Sequence, residues 1–389
     1  MGRCPACAAD LTVTEPVDNS RLRRLRRKHL GARHRPAAVI VVAVFVVASG
    51  IVGIKLVLGH GTRDASPSSG PPWLHARTRA TLVYTLNDIE IIDADTGRVR
   101  QLPMPTSKGG ASDATVVRVG AFVLLNRGNH AWLYGRGLAP PPVDLGPSLR
   151  IIPGPTTSTV WLWTADTGHL RLVDLTTRQT VLVRTLPDGW FPDNDATASG
   201  VVLFHRFGLM TEVWNPNTNQ VAKTFDGLVL AATANIVIWD GPSCAPGQPG
   251  CVLHLTDMRS GSDTPIPIPN AGAPDGSGAV SPDGTEIAIP VRFGATAEAG
   301  EGTAALAVID MATRALTVVP DSQWQADPLG MYPPTWSPTG WVFFAGYDSQ
   351  HILAWRPHQR TASVLTHATL PPPEAPQGNT ASLTAIAAP

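Results

Sequence analysis

The chain has four cysteines, and they form two pairs with different spacings. Cys4 and Cys7 make a C-x-x-C, a spacing at which two thiolates bind one zinc ion. A tetrahedral site needs two more ligands. His29 and His34, or the cysteines of a second copy of the chain, are the candidates, and a disordered tail with free thiols is the alternative. The pair therefore predicts a zinc site at the N-terminus, and no cofactor is expected elsewhere.

Cys244 and Cys251 enclose the six residues APGQPG. In an oxidising compartment this pair is expected to form a disulfide, and closing so short a loop contributes roughly 2.5 kcal/mol in the chain-entropy model. A redox-active pair is the alternative, but such pairs have two intervening residues. The spacing therefore predicts a structural disulfide.

A third group of polar and aromatic side chains follows the ends of apolar runs. If the ends of these runs meet at one face of the fold, their arginine, histidine and aromatic side chains suit an anionic or sugar-like ligand. A solvated polar rim is the alternative. The candidate ligand-binding residues are Arg127, His205, Arg206, Trp239, Asp240, Arg292, Tyr347 and Asp348, with Asn126 beside them.

Motifs that identify common enzymes are missing from the sequence. It has no H-E-x-x-H, no G-x-S-x-G and no G-x-x-x-x-G-K-[ST]. Asp93, Asp174, Asp257 and Asp310 recur at similar intervals, but each begins a turn, where a carboxylate accepts backbone hydrogen bonds. We therefore expect a protein that is not an enzyme.

The elements that carry these residues are apolar runs that recur along the chain. Seven runs are apolar on successive residues, as expected for strands covered on both faces: 82–84, 122–125, 160–163, 201–204, 236–239, 287–289 and 341–344. Each precedes a second run, and the second runs end at residues 93, 134, 174, 215, 257, 310 and 356. The intervals of 41, 40, 41, 42, 53 and 46 residues match a four-stranded propeller blade. The sequence predicts an all-β, seven-bladed β-propeller, with six or eight blades as alternative counts.

Two of the copies carry a more specific motif. Ser281-Pro282-Asp283-Gly284 precedes the run at 287–289, and Trp336-Ser337-Pro338-Thr339-Gly340 precedes the run at 341–344. These segments resemble the repeat of TolB-like and WD40-like bacterial propellers. The resemblance implies a blade in which the proline-glycine turn joins the first and second strands, and it implies no catalytic residue.

The N-terminal part of the chain has the pattern of a membrane anchor. Residues 20–35 contain eight Lys/Arg and no acid, and residues 37–54 contain no charge. Eighteen helical residues span roughly 27 Å, close to a bilayer core. The basic flank places the N-terminus in the cytoplasm and the propeller outside. A cleaved signal peptide ending near Ala48-Ser49-Gly50 is the alternative.

Charge divides the chain at the same place. Residues 1–60 hold ten Lys/Arg against three Asp/Glu, and the remainder holds twenty against twenty-seven. The predicted domains are a cytoplasmic tail (1–35), a transmembrane helix (36–58), a linker (59–72), a propeller (73–369) and a disordered Pro/Ala/Thr-rich tail (370–389), in which Ser382 to Ile386 is a candidate closing strand.

The sequence therefore predicts a single-pass cell-membrane protein whose extracytoplasmic propeller is a non-catalytic binding or scaffolding module. Its expected partners are the lipid bilayer and a protein or other component of the cell envelope, and no nucleic acid. One alternative function is a transmembrane signal transducer with a zinc-binding tail. The other is a propeller enzyme acting on cell-wall polysaccharide.

Overall fold

The computed structural model describes residues 72–85, 88–102, 105, 114–135, 138, 141–205, 210–244, 250–294, 302–325, 332–345, 350–370 and 382–387. The chain divides into two units, residues 1–68 and 69–389, and all described residues lie in the second. The predicted cytoplasmic tail with Cys4 and Cys7, the predicted transmembrane helix and nearly all of the predicted linker lie outside the described residues. Within the described part, no helix has both the length and the apolar character needed to cross a membrane.

Almost all of the regular structure in the described residues is β-strand. The first half contains β1 (Trp73–Leu74), β2 (Ala80–Thr85), β3 (Ile89–Asp93), β4 (Val99–Leu102), β5 (Thr115–Val119), β6 (Phe122–Arg127), β7 (His130–Gly135), β8 (Val143–Pro147), β9 (Arg150–Pro153), β10 (Thr159–Thr164), β11 (His169–Asp174), β12 (Thr180–Thr185), β13 (Trp190–Thr197), β14 (Gly200–His205), β15 (Thr211–Asn215) and β16 (Gln220–Phe225).

The second half contains β17 (Val229–Ala232), β18 (Ile236–Asp240), β19 (Val252–Asp257), β20 (Asp263–Pro267), a single 3₁₀ turn (Pro269–Ala271), β21 (Ala273–Pro274), β22 (Ala279–Val280), β23 (Glu286–Phe293), β24 (Thr303–Asp310), β25 (Leu316–Val318), β26 (Trp324–Gln325), β27 (Thr335–Trp336), β28 (Val342–Phe344), β29 (His351–Trp355), β30 (Ser363–Thr369) and β31 (Ser382–Ala387).

These strands form seven sheets, which we number as blades. From the innermost strand outwards, blade 1 is β31-β2-β3-β4, blade 2 is β5 to β8, blade 3 is β9 to β12, blade 4 is β13 to β16 and blade 5 is β17 to β20. In blade 6, β21 and β22 both pair with β23, which is followed by β24 and then by β25 and β26. Blade 7 is β27-β28-β29-β30-β1. The seven-bladed propeller predicted from the apolar period is confirmed.

The second strands are apolar throughout because each lies between two neighbouring blades. In β10, Val160 and Leu162 pack with the side chains of blade 2. Trp161 and Trp163, on the opposite face, pack with blade 4. Successive strand residues point to opposite faces, so a strand covered on both sides has no position for a solvated side chain.

The turns between third and fourth strands are closed by the recurring aspartates. The Oδ1 atom of Asp174 accepts hydrogen bonds from the backbone N–H groups of Thr176 and Thr177, both at 2.8 Å. Asp93, Asp257 and Asp310 accept equivalent bonds. The backbone hydrogen bonds hold the pKa values of Asp174, Asp257 and Asp310 below the usual range. The structural interpretation of these residues is confirmed.

The two proline-glycine turns lie where the resemblance implies. Ser281-Pro282-Asp283-Gly284 joins β22 to β23, the first and second strands of blade 6. Gly284 has φ +73°, the left-handed region in which glycine is favoured. The turn in Trp336-Ser337-Pro338-Thr339-Gly340 joins β27 to β28 in the same way.

The disulfide between Cys244 and Cys251 is present in the loop between β18 and β19. Cys251 is fully buried and Cys244 is 7% exposed. Both pack in an apolar cluster shared by blades 5 and 6, which includes Ile266 and Ile268.

Both ends of the second unit take part in closing the ring. β31 pairs antiparallel with β2 over six residues, from Thr85↔Ser382 to Ala80↔Ala387. β1 adds to the outer edge of blade 7, parallel to β30. The propeller therefore extends to Ala387, beyond the predicted limit at residue 369. The candidate closing strand at Ser382 to Ile386 is confirmed as β31, which fills the otherwise unpaired edge of β2.

Candidate functional site

One face of the ring carries the second-to-third-strand loops and the connections between blades, because the strands within each blade alternate in direction. A cavity of about 1000 Å³ lies among the innermost strands and reaches the loops of this face at Gly128, Asn129 and Ala165. Its described walls come from the innermost strands of blades 1, 2, 3, 4, 6 and 7, together with loop residues of blades 2 and 3 and the second-strand residues Asn126, Trp163 and Phe204. This is the mouth of the channel at which the sequence places a ligand.

Two predicted site residues, Arg127 and His205, end second strands at this face. Arg127 is half-buried beside Tyr134 of its own blade. Burial raises the pKa of the Tyr134 phenol to about 12, and the charge of Arg127 opposes that shift. The ring of His205 packs edge-on against Trp190, with centroids 5.1 Å apart.

Trp239 and Asp240 end β18, and both contact residues of blade 5. The indole of Trp239 stacks on the His254 ring at 4.3 Å, and its Nε1 donates to Thr256 Oγ1 at 3.0 Å. Asp240 Oδ1 accepts the backbone N–H of Leu228 at 2.5 Å. Burial raises the pKa of the Asp240 carboxyl, and the Leu228 bond opposes that shift.

Arg292 forms an ion pair within blade 6, with its Nη2 atom 2.7 Å from Asp275 Oδ1. Both side chains are largely buried. Burial raises the pKa of the Asp275 carboxyl, while Arg292 opposes the shift. The other predicted residues, Arg206, Tyr347 and Asp348, lie outside the described part of the chain.

The structure brings the five described residues of the prediction to one face but not into one cavity. None of them is among the described residues that line the cavity. Each contacts residues of its own blade, and Trp239 also packs on Phe225 of blade 4. Of the sequence candidates that the structure describes, only Asn126 lines the cavity, where its Nδ2 donates to Leu149 O at 2.5 Å. Ligand contact by the others stays a prediction.

Two arginines on innermost strands are the charged residues among the described lining. Arg118 lies in β5, and burial lowers the pKa of its guanidinium. No described residue accepts a hydrogen bond from that group or forms an ion pair with it. Arg150 begins β9; its Nη1 atom is 3.3 Å from Asn194 Oδ1, and its guanidinium carbon is 5.7 Å from the centroid of the Phe204 ring.

An aromatic wall lies beside Arg150. It consists of Trp163, Phe191 and Phe204. The Trp163 and Phe191 rings meet edge-on at 5.6 Å, and Phe191 stacks on Phe204 at 5.8 Å. Trp163 Nε1 is buried and has no hydrogen-bond partner among the described residues. The wall gives the cavity an apolar surface next to a cation.

A bulge in β13 places two acids near this wall. The register with β14 shifts between Pro192 and Ala196, so residues 193–195 lie opposite Val202 alone. Burial raises the pKa of Asp193, against the charge of Arg150. Burial also raises the pKa of Asp195 well above its usual value, and the Asp193 charge adds to the shift. Two neighbouring carboxyls with raised pKa values keep their protons to a higher pH than ordinary aspartates do.

Arg118, Arg150 and the Asp193–Asp195 bulge lie on innermost strands and not in the loops from which the ligand-binding residues are predicted. A signal was present. A charge interrupts the short β-branched run TVVRV at residue 118, and two acids interrupt the β13 segment WFPDNDAT. In the described part of the chain, no group of three or more His, Cys, Asp and Glu side chains could hold a metal ion. Cys4 and Cys7 lie outside that part.

No protein-family profile matches the sequence, and no curated protein is detectably similar to it. Solved structures do share its fold. The Neurospora crassa Pan2 WD40 domain is 11% identical over 77% of this chain and 87% of that one, with a TM-score of 0.46. Kuenenia stuttgartiensis hydrazine synthase is 12% identical over 67% and 80%, also with a TM-score of 0.46.

A chain in the crystal structure of a mitotic checkpoint complex is 12% identical, and the match covers 74% of this chain and 89% of that chain with a TM-score of 0.50. At this identity the likeness concerns the fold. The chain therefore has a WD40-like, seven-bladed β-propeller fold.

Proposed function

We propose that this protein is a membrane-anchored, extracytoplasmic, non-catalytic binding or scaffolding module whose ligand or partner docks at the channel mouth. The observation that carries the proposal is the cavity of about 1000 Å³, whose lining includes loop residues of the face that carries the connections between blades. Its volume is at the upper end of the usual range for small-molecule sites. Its arginines, amides and aromatic wall provide both polar and apolar contacts.

Binding is tested by isolating partners on the tagged full-length chain from membranes after cross-linking. Ala165 is exposed and lines the cavity, so Ala165→Trp narrows the mouth without disturbing a buried contact. Ala312 is equally exposed, in a turn on the opposite face, and Ala312→Trp is the matched control. Loss of the partner in the first variant alone supports the proposal. Equal recovery in both variants contradicts docking at the mouth.

The extracytoplasmic location is supported by the basic and apolar segments before residue 59 and by the disulfide at Cys244 and Cys251, since disulfides persist in oxidising compartments. The test is cysteine labelling with a membrane-impermeant maleimide in a Cys4→Ser, Cys7→Ser background. Ser260→Cys, in an exposed turn of blade 5, should react in intact cells. Ser20→Cys should react only after permeabilisation, and the reverse pattern refutes this topology.

Zinc at Cys4 and Cys7, with a role in signal transduction, stays an alternative proposal. The purified full-length chain should then contain zinc, and Cys4→Ser should lose it.

The enzyme alternative is favoured by one observation, the raised pKa values of Asp193 and Asp195 beside the cavity. If the protein cleaves cell-wall polysaccharide, Asp193→Asn and Asp195→Asn should each abolish turnover while binding persists. Absence of turnover in the unmodified chain removes this alternative.

A further inference from the structure

We propose that the channel cavity binds a small organic anion, namely a carboxylate or phosphate attached to an apolar or ring-shaped body, with Arg118 and Arg150 as its charge partners. This inference rests on the proposed binding function and specifies the class of ligand. It follows from the charge of the cavity, the depth of its two cations and the position of its aromatic wall.

The described lining of the cavity contains two arginines and no acid. Arg118 is the more demanding of the two because its side chain is half-buried in the wall of the cavity and no described residue pairs with its guanidinium. Taking a charge out of water without a partner is unfavourable. Since an arginine stays protonated, an anion in the cavity is the group that relieves this cost. Hydrogen bonds between a guanidinium and a carboxylate or phosphate are among the strong ones in proteins.

Arg150 has neighbours that fix its position. Asn194 accepts from its Nη1 atom, and the Phe204 ring lies beneath the guanidinium. Asp193, in the adjacent blade, is attracted to Arg150 and offsets part of its charge. Arg150 is therefore the pre-oriented partner, and Arg118 supplies the larger uncompensated charge.

The two arginines lie at different depths. Arg150 pairs with Trp163 near the loop end of β10, as Thr115 pairs with Asn126 at the loop end of β6. Arg118 is three residues further along β5 than Thr115, which is roughly 10 Å at the usual strand rise. An anion that contacts Arg118 therefore lies roughly 10 Å below the mouth, and the cavity of about 1000 Å³ is large enough for a ring-bearing anion to enter to that depth.

The aromatic wall indicates what the rest of the ligand is. Phe191 and Phe204 are only half-buried, so their rings contribute apolar surface to the cavity next to Arg150. A ring or alkyl group packs there, whereas inorganic phosphate or sulfate does not use that surface. The arrangement thus favours an organic anion over an inorganic one.

The test is calorimetric titration of the purified full-length chain with four probes: benzoate, phenyl phosphate, inorganic phosphate and the neutral isostere benzamide. We expect saturable binding of benzoate or phenyl phosphate, at least tenfold tighter than that of benzamide or inorganic phosphate, and weakening at high salt. Arg118→Gln should weaken that binding about tenfold or more, and Arg118→Lys, which keeps the charge, should weaken it less. Arg100→Gln, on an exposed outer strand, is the control and should change nothing.

Equal affinities for benzamide and benzoate overturn the inference. It is also overturned if Arg118→Gln leaves the affinities for benzoate and phenyl phosphate unchanged, or if neither of these anions binds. A melting temperature for Arg118→Gln that is not lower than that of the unmodified chain shows that lost binding is not lost folding. The Ala165→Trp experiment does not depend on charge, so failure of the anion inference is distinguishable from failure of the binding function.

Discussion

Closure of the ring by β31 leads to a quantitative prediction for Leu383→Ala. Leu383 is 4% exposed and packs in the cluster that joins blade 1 to blade 7, with Tyr84, Trp341 and Phe343. Removing most of a buried leucine side chain costs about 2–5 kcal/mol, because the lost transfer energy adds to the cost of the cavity. If the free energy of unfolding falls by about 3 kcal/mol, the melting temperature of a domain of this size should fall by roughly 5 °C.

The strand also makes polar contacts with both neighbouring blades. The N–H of Ala385 donates to Thr335 Oγ1 of blade 7 at 2.9 Å, and Thr384 Oγ1 donates to Val116 O of blade 2 at 2.9 Å. Ile386 packs on the blade 2 side. A chain ending at residue 381 loses all of these contacts and leaves β2 with an open edge. Burial of the leucine and isoleucine alone is worth roughly 2 kcal/mol each. The total is comparable to the stability of a whole domain, so the truncated chain should not hold a native fold.

The assay is equilibrium unfolding in guanidinium chloride, followed by the fluorescence of the eleven tryptophans. Val181→Ala is the matched control, since Val181 lies on the outer strand β12 and is 63% exposed. Its unfolding free energy should stay within about 0.5 kcal/mol of the unmodified value. If Leu383→Ala unfolds at the same denaturant concentration as Val181→Ala, or if the truncated chain keeps the native midpoint, β31 does not close the ring as described.

Three further predictions concern other parts of the ring. The double variant Cys244→Ala, Cys251→Ala should have a melting temperature roughly 4 °C lower, because about 2.5 kcal/mol of loop constraint is lost. An unchanged melting temperature of the unmodified chain under reducing conditions would argue against the disulfide. Asp195 has a raised pKa in the folded state, so the native protein binds more protons than the unfolded one and stability falls as pH rises above about 4. Asp195→Asn should therefore raise the free energy of unfolding at pH 7 but not at pH 3.5. An equal change at both pH values would show that the raised pKa of Asp195 is not the cause. Gly97→Ala should lower the free energy of unfolding in urea more than Gly284→Ala does, although both glycines have positive φ. A Cβ on Gly97 would overlap the backbone of blade 7, whereas a Cβ on Gly284 meets open space. Equal losses of unfolding free energy would contradict the contact between blades 1 and 7.

The sequence predicts the second and third strands well because both of their faces are covered. Runs such as VWLW at 160–163 have no other way to bury four large side chains in succession. The outer strands are harder to recognise. β12, with Val181 and Val183 more than 40% exposed, has the composition of a solvated edge. The innermost strands are harder still, since β21, β22 and β27 contain two residues each and β13 is bulged.

The sequence predicts the face of the ring on which the candidate residues lie, but not the direction in which their side chains point. Trp239 illustrates the reason. The repeat predicts its position at the end of a second strand, yet its ring packs between His254 of its own blade and Phe225 of blade 4, and Thr256 accepts its indole N–H. His254 is held in turn by Asp263, with Nδ1 2.6 Å from Oδ2. Such a chain of partners depends on three strands at once and leaves no local pattern.

The same packing logic explains why the charges that matter lie on the innermost strands. A second or third strand contacts neighbouring blades on both faces, so a charged residue there is stabilised by a partner in the protein, as Arg292 is by Asp275. An innermost strand has one edge on the ring axis, and a residue such as Arg118 or Arg150 can occupy it without disturbing the contacts between blades. The apolar residues of the second and third strands therefore hold the blades together, and inner-strand side chains that face the ring axis are available to a ligand. For that reason Arg118→Gln should change binding and leave folding intact, whereas Leu383→Ala, which removes a side chain packed between blades 1 and 7, should lower the stability of the ring.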